Sequence, residues 1–305
     1  MIINMRKFLI SISFIIVSLF VIDRVAGKVL LYFTEHTHAH AETKLTHLLN
    51  ESNEDIILMG TSRCDNHYVP SIISKKTGMT VYNAGISSSE NIYSHYIVLN
   101  YLLSHHKPKV ICLDVWEKDF NHQKNSFTFT SFFAPYYGVS EASDSVFEMA
   151  GNASLYGISH IYRFNSKFFE TLYGVLVNHQ YSNDNGYYAN PWPSKKLSIL
   201  NSNNTYSCSV EKMNYLQRFI DKCKVNNITL ILVISPSLTN ITSDLYDPIR
   251  KIAIKNGLPL LDYHSKKLFF DHPEYFSNNI HLWDKGARLF SSVFADDLNH
   301  ILKNK

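Results

Sequence analysis

The stretch Asp55-Ile56-Ile57-Leu58-Met59-Gly60-Thr61-Ser62-Arg63 decides how this chain is read. Four large apolar residues in a row, bounded by Gly60 and small polar residues, read as a buried strand. In open α/β sheets the sites lie outside the carboxyl ends of the strands, and Ser62 stands at such an end. A serine there commonly does no more than make a turn. A base, an oxyanion hole and a sheet therefore have to be found elsewhere in the chain.

Strand and helix alternate on both sides of a long interruption. Residues 69–76 read as a helix closed by Gly78, residues 79–85 as a second strand running into a loop, and residues 90–106 as a helix followed by Pro108. A third strand covers 110–114. After the interruption, 210–224 read as a helix, 228–236 as the strongest strand in the chain, 242–256 as a helix closed by Gly257, 258–263 as a fifth strand and 284–302 as a closing helix. Alternation of this kind calls for a parallel sheet, here of about five strands. Residues 116–205 are rich in Phe, Tyr, Asn and Ser, with turn signals at Asp184-Asn185-Gly186 and Asn190-Pro191-Trp192-Pro193. They read as an insertion over the sheet edge, with some helix near 141–150 and 160–177. Trp192, Tyr187 and Tyr188 there are candidates for stacking on sugars, a role that competes with simple packing.

The N-terminus sets the compartment. Arg6-Lys7 precede an apolar run over residues 8–22, and Val29-Leu30-Leu31-Tyr32-Phe33 continue it past Asp23, Arg24 and Lys28. The run alone is short for a span, which needs about 20 residues. The charged flank makes a poor cleavage site, so residues 1–33 read as an uncleaved signal anchor that exports the rest of the chain. Residues 34–54 read as a polar stalk with a short helical pattern around Leu45, Leu48 and Leu49, and residues 55–305 as one domain carrying the insertion. With 305 residues, 45% of them hydrophobic, there is ample core for such a domain. A net charge of +3 without a long basic block excludes a nucleic-acid partner. Cys64, Cys112, Cys208 and Cys223 lack any CxxC spacing, and the histidines lack matching Cys or carboxylate partners. Neither a metal nor an organic cofactor is expected.

Two further segments complete a constellation. His281, in Ile280-His281-Leu282-Trp283-Asp284, falls in a loop before the last helix, where a neutral imidazole can take a proton from a serine hydroxyl. Asn83-Ala84-Gly85 comes after the second strand. A glycine there lets the backbone approach a ligand and its N–H donate to an oxyanion, with Asn83 orienting the loop or donating as well.

Together these segments resemble the SGNH/GDSL hydrolase family, over roughly residues 55–114 and 209–303. The cadences Gly60-Thr61-Ser62-Arg63 … Tyr82-Asn83-Ala84-Gly85 and Tyr275-Phe276 … His281-Leu282 … Gly286-Ala287 … Phe290-Ser291 look like its membrane-anchored bacterial members. The resemblance implies a flavodoxin-like three-layer α/β fold. It implies Ser62 as nucleophile, His281 as base, and the Ser62 and Gly85 N–H groups as oxyanion donors. Two departures stand out. Asn278 occupies the place of the family's Asp three residues before the histidine, with Asp271 and Glu274 as substitutes. Asp114-Val115-Trp116-Glu117 replaces the Gly-x-Asn-Asp after the third strand, putting Trp116 where an oxyanion Asn is expected and leaving Asn83 to compensate. Arg63 is a candidate contact for an anionic substrate group, or else a partner of Asp65 or Asp114, and Trp116 is a second candidate for substrate binding.

The function expected is that of a serine esterase or O-acyltransferase acting on an acylated glycan or a small ester, extracytoplasmic and tethered to the membrane. A membrane acyltransferase would be a fitting partner. The rival expectation, which Asn278 and Trp116 favour, is an SGNH-shaped envelope protein that binds glycan or scaffolds polysaccharide export without catalysis.

Overall fold

The computed structural model describes residues 2–89, 91–122, 129–177, 184–194, 196–201, 208–240 and 243–304. Its helices begin with α1 (Ile2–Glu35), α2 (His40–Asn50), α3 (Ser62–His67), α4 (Pro70–Thr77) and α5 (Ile92–His105). The inserted region adds α6 (Glu141–Met149), α7 (Ala153–Ile158) and α8 (Phe168–Leu176), and after it come α9 (Val210–Val225), α10 (Asp247–Asn256) and α11 (Asp284–Lys303). Five strands, β1 (Ile56–Met59), β2 (Val81–Asn83), β3 (Val110–Asp114), β4 (Thr229–Ile234) and β5 (Leu260–Asp262), form an all-parallel sheet in the order β2-β1-β3-β4-β5. This is the flavodoxin-like doubly wound order, with its switch point between β1 and β3.

The strands are apolar because both faces of the sheet are covered. Period-two alternation sends Ile56, Leu58, Val110, Cys112, Ile231 and Val233 to one face. There they meet Phe290, Phe294, Ala295 and Leu298 of α11 together with Ile73 of α4. Helices α5 and α9 pack on each other through Tyr93 and Tyr215, whose rings meet edge to face at 4.6 Å. Helix α5 is buried all round from Ile92 to Leu102, the signature of an inner helix rather than an amphipathic surface one.

The chain gathers into two compact units. One comprises Lys44–Ser126 with Gln180–Lys305 and holds the sheet; the other comprises Met1–Thr43 with Phe127–His179. Residues 34–54, read from sequence as a stalk, are largely helical. Leu45 and Leu48 of α2 are fully buried, and Lys44 is buried with them. In the second unit α1 runs unbroken through the charged residues 23–28, and it is long and apolar enough to cross a membrane.

Several boundaries shift for local reasons. Strand β2 closes at Asn83 because Ala84 donates to Leu58 O and Ile86 to Gly60 O, bending the chain across the end of β1. Helix α10 starts at Asp247, where Pro248 suits a first turn, after a 3₁₀ turn at Ser243–Tyr246; Ile241 and Thr242, the second of them included in the expected helix, lie outside the described residues, as does Glu90. The helix expected over 160–177 is broken, with α8 beginning only at Phe168.

Candidate active site

Strand β1 ends at Met59, and the chain turns at once into α3. Gly60 makes the turn feasible: a Cβ there would stand 2.8 Å from Cys64 Cβ and 3.0 Å from Asp114 O. Thr61 caps the helix, its side chain accepting from Arg63 N–H. Ser62 is thereby the first residue of α3, half-buried at the carboxyl edge of the sheet. Its own N–H, in the first turn, has no acceptor within the helix.

His281 reaches Ser62 from the C-terminal region, its Nε2 lying 2.7 Å from Ser62 Oγ. The residues between Asn278 and His281 form a tight hairpin, Phe276–Asn278 pairing antiparallel with His281–Leu282. Asn278 Oδ1 accepts the N–H groups of Ile280 and His281, each at 3.0 Å. Those two backbone donors identify the amide oxygen; His281 Nδ1 lies 3.1 Å from it and 3.0 Å from the Asn278 amide nitrogen. With the ring proton on Nδ1, donated to that oxygen, Nε2 is left to accept from Ser62. Asn278, rather than Asp271 or Glu274, faces the imidazole. Glu274 accepts from His272, and Asp271 lines a different cavity of about 440 Å³ with Arg250, His264 and Phe270.

A buried relay that sequence reasoning did not find holds this hairpin in place. His67, at the end of α3, is fully buried, and its Nε2 accepts Leu282 N–H at 3.0 Å. The ring proton then belongs on Nδ1, which donates to Ser235 Oγ at 3.1 Å. Ser235 Oγ donates in turn to Asp114 Oδ2 at 2.7 Å, and Ser235 N–H to Asp114 Oδ1 at 3.1 Å. Burial, with Arg63 and His281 nearby, holds His67 well below the ordinary histidine value and hence neutral. Ser235 was legible in principle, since it follows β4 at the same sheet edge as Ser62. His67 gives no signal beyond its place on the same short helix as the serine.

Burial is also the main reason that His281 titrates low, near 4 against an ordinary 6.5, with the positive charges of Arg63 and Lys118 adding to it and Asp65 opposing. Lys118 is a second residue that sequence reading passed over. Its ammonium lies 4.2 Å from the centre of the Trp116 ring.

Gly85, Asn83 and Trp116 do not stand where the sequence placed them, and of the two roles read for Arg63 it takes the internal one, beside Asp114. Gly85 is needed for close approach, because a Cβ there would collide with Asp65 N and Cys64. Its N–H, however, donates to Asn83 Oδ1 at 3.0 Å and so is already committed. The Asn83 amide donates to Cys64 O at 2.8 Å and Tyr68 O at 2.9 Å, holding the loop rather than facing a ligand. Both expected oxyanion donors beyond Ser62 are thus consumed in tying the loop after β2 to α3. Arg63 is 1% exposed: its Nε donates to Ser235 Oγ at 3.1 Å, its Nη2 to Ser235 O, and its Nη1 lies 3.5 Å from Tyr246 OH. It is an internal cation, out of reach of a substrate. Trp116 is also buried, its N–H accepted by Asp119 Oδ2 at 2.8 Å. Tyr187 is buried as well and donates to Asp284, whereas Tyr188 and Trp192 are exposed. Among the described residues no group of His, Cys, Asp or Glu is placed to hold a metal.

No family model matches the chain, and no curated protein does. Solved structures do. A lipase/acylhydrolase from Enterococcus faecalis is similar at 11% identity, covering 80% of this chain and 95% of its own, with a TM-score of 0.42. A protein assigned to the G-D-S-L lipolytic family from Desulfitobacterium hafniense DCB-2 aligns at 11% identity over 80% of this chain and 99% of its own, TM-score 0.40. An acetyl xylan esterase, AlAXEase, aligns at 15% identity over 80% and 96%, TM-score 0.38. The chain's own features stand independently of these likenesses: with its five-stranded all-parallel sheet in the order β2-β1-β3-β4-β5, its Gly60-Thr61-Ser62 turn behind β1 and its histidine hairpin before the last helix, it is an α/β protein with a flavodoxin-like doubly wound sheet.

Proposed function

We propose that this chain is a serine-dependent ester hydrolase or acyl transferase. It works through an acyl-Ser62 intermediate on an acylated glycan or small ester, in an extracytoplasmic domain held to the membrane by α1. The observation that carries the reading is the 2.7 Å contact between Ser62 Oγ and His281 Nε2, with the Asn278 amide against Nδ1 on the other side of the ring. As Ser62 Oγ attacks an ester carbonyl carbon, His281 Nε2 takes its proton. The tetrahedral oxyanion is turned toward Ser62 N–H. Collapse expels the alcohol, which recovers the proton from His281, and water or a sugar hydroxyl then accepts the acyl group by the reverse sequence.

The test is turnover of p-nitrophenyl acetate and labelling by a fluorophosphonate probe, using the detergent-solubilised full chain. A chain that does neither supports the second reading, a non-catalytic glycan-binding or scaffolding protein. The committed Gly85 N–H and Asn83 amide, which leave the oxyanion short of donors, favour that reading.

The imidazole supports two predictions. Because His281 protonates only near 4, kcat/KM should hold from pH 8 down to about 5 and fall with an acid midpoint near 4. A midpoint near 6.5 would contradict an imidazole buried against Arg63. The unfolded chain binds the proton that the folded one refuses, so this group's contribution to stability is present above pH 6.5 and lost as pH falls toward 4. Circular dichroism must therefore accompany the profile. The second prediction concerns Asn278→Asp. A carboxylate on Nδ1 stabilises the imidazolium that an amide only orients. The acid midpoint should rise by about one unit and kcat by about tenfold; a fall in kcat would show that the amide is the required partner.

A further inference from the structure

The unit built on α1 displays apolar side chains to the outside. Within the inserted region Ile158 is 71% exposed, Phe169 83% and Leu176 83%, and Phe168 and Tyr173 are exposed beside them. Phe169, Tyr173 and Leu176 are spaced four and three apart and form a stripe along α8. The opposite face carries Thr171 and Gly174, which are buried on α1 and the turn after it: Thr171 Oγ1 lies 3.4 Å from Thr34 Oγ1, and Gly174 O accepts His38 N–H at 2.9 Å.

The place where this region grips α1 says what covers the stripe. Residues 5–17 and 19–22 of α1 are exposed; from Asp23 on, one face is packed, with Gly27, Leu30, Thr34 and then Thr37 buried. Asp23 accepts from Ser159 Oγ at 2.6 Å, His160 N–H at 2.8 Å and Ile161 N–H at 3.2 Å. Arg24 pairs with Asp23 and donates to Ile158 O at 3.1 Å. A span that starts at Phe8, behind Arg6-Lys7, needs about 20 residues to cross the hydrocarbon and so reaches about Gly27. The segment around Ile158 is therefore fastened at a level still inside or at the edge of the bilayer. The charges within that span, Asp23 and Arg24, are paired and satisfied, as that depth demands.

We propose that the inserted region from Ile158 to Leu176 is an interfacial membrane element. It seats on the lipid of the bilayer that α1 spans, with Ile158 deepest, Phe169 in the interface and Leu176 shallowest, because α8 runs outward in the direction of α1. The inference rests on the membrane reading of α1 and is independent of the chemistry at Ser62.

The experiment uses the full chain in phosphatidylcholine nanodiscs. Single cysteines carrying an environment-sensitive fluorophore are placed by Ile15→Cys, Ile158→Cys, Phe169→Cys, Leu176→Cys and Glu148→Cys, with Cys208→Ser as background; the other three native cysteines are buried. Quenching by nitroxide-labelled lipid is compared with quenching by iodide. Labels at 15, 158 and 169 should be quenched by lipid at least threefold more than the label at 148, falling in the order 158, 169, 176. If 158 and 169 behave like 148 while 15 is lipid-quenched, the anchor stands and the interfacial element is overturned. If 15 also escapes lipid, the membrane reading fails and takes this inference with it. Labels at 158 and 169 shielded from both quenchers would mean that protein, not lipid, covers the stripe, and would equally overturn the proposal.

Discussion

Ser62→Ala should abolish labelling by a fluorophosphonate and lower turnover of p-nitrophenyl acetate by about three orders of magnitude, leaving the fold unchanged. Loss of the nucleophile in a complete serine site costs more than this, because nucleophile, base and oxyanion hole act as a unit. Here the unit is short of donors. Gly85 N–H is spent on Asn83, and one missing oxyanion donor typically costs about 3 kcal/mol of barrier. The wild-type rate from which Ser62→Ala falls is correspondingly lower. The fold survives the change because Ser62 caps nothing; Thr61 does that, and the Ser62 side chain is only half-buried. A wild type indistinguishable from Ser62→Ala in both assays would sink the esterase reading. A wild type that labels without turning over would point to transfer, with water a poor acceptor.

How far the sequence carried depends on the range of the forces involved. The sheet was legible because burial on both faces leaves an unmistakable apolar run, as at Ile56–Met59 and Thr229–Ile234, and alternation with helices permits few orders. Ser62 and His281 were legible because their places come from chain topology alone: one after β1, the other before the last helix. The direction of a hydrogen bond was not legible. Gly85 was singled out as a place where the backbone approaches a ligand, yet what lies close to it is Asp65 and Cys64, and its N–H donates to Asn83 within the loop. Arg63 and Trp116 were read as candidate substrate contacts, Arg63 with an internal partner, Asp65 or Asp114, as its alternative. The partners that bury Arg63, Ser235 and Tyr246, stand 172 and 183 residues further on, beyond any local pattern. The same distance hid His67, whose part becomes visible only when Leu282 is folded against it.

Arg63→Met should destabilise the sheet-bearing unit by about 3–5 kcal/mol, and more at pH 7.5 than at pH 5. Burial disfavours the guanidinium charge. Tyr246, Asp114 and Glu117 around it more than compensate and hold Arg63 above its ordinary value. Asp114, fully buried, is already raised to about 6, and Glu117 is raised as well, burial being the leading cause in both and the Arg63 charge the main restraint. A methionine of similar length preserves packing but leaves two carboxyl groups without their cation, and both must then rise further. A buried carboxyl that titrates above its unfolded value binds more protons in the folded chain than in the unfolded one. Its stability is greatest at low pH and is lost as pH rises from the unfolded value near 4 through the folded one. Thermal unfolding of the solubilised chain at the two pH values measures both effects. Equal losses at pH 5 and 7.5 would mean that Arg63 acts through packing alone. A loss under about 1 kcal/mol would mean that Asp114 is satisfied by Ser235 without its cation. The expected result makes Arg63 the electrostatic keystone beneath the candidate site: it neutralises Asp114, on which the relay through Ser235 and His67 to the His281 hairpin depends.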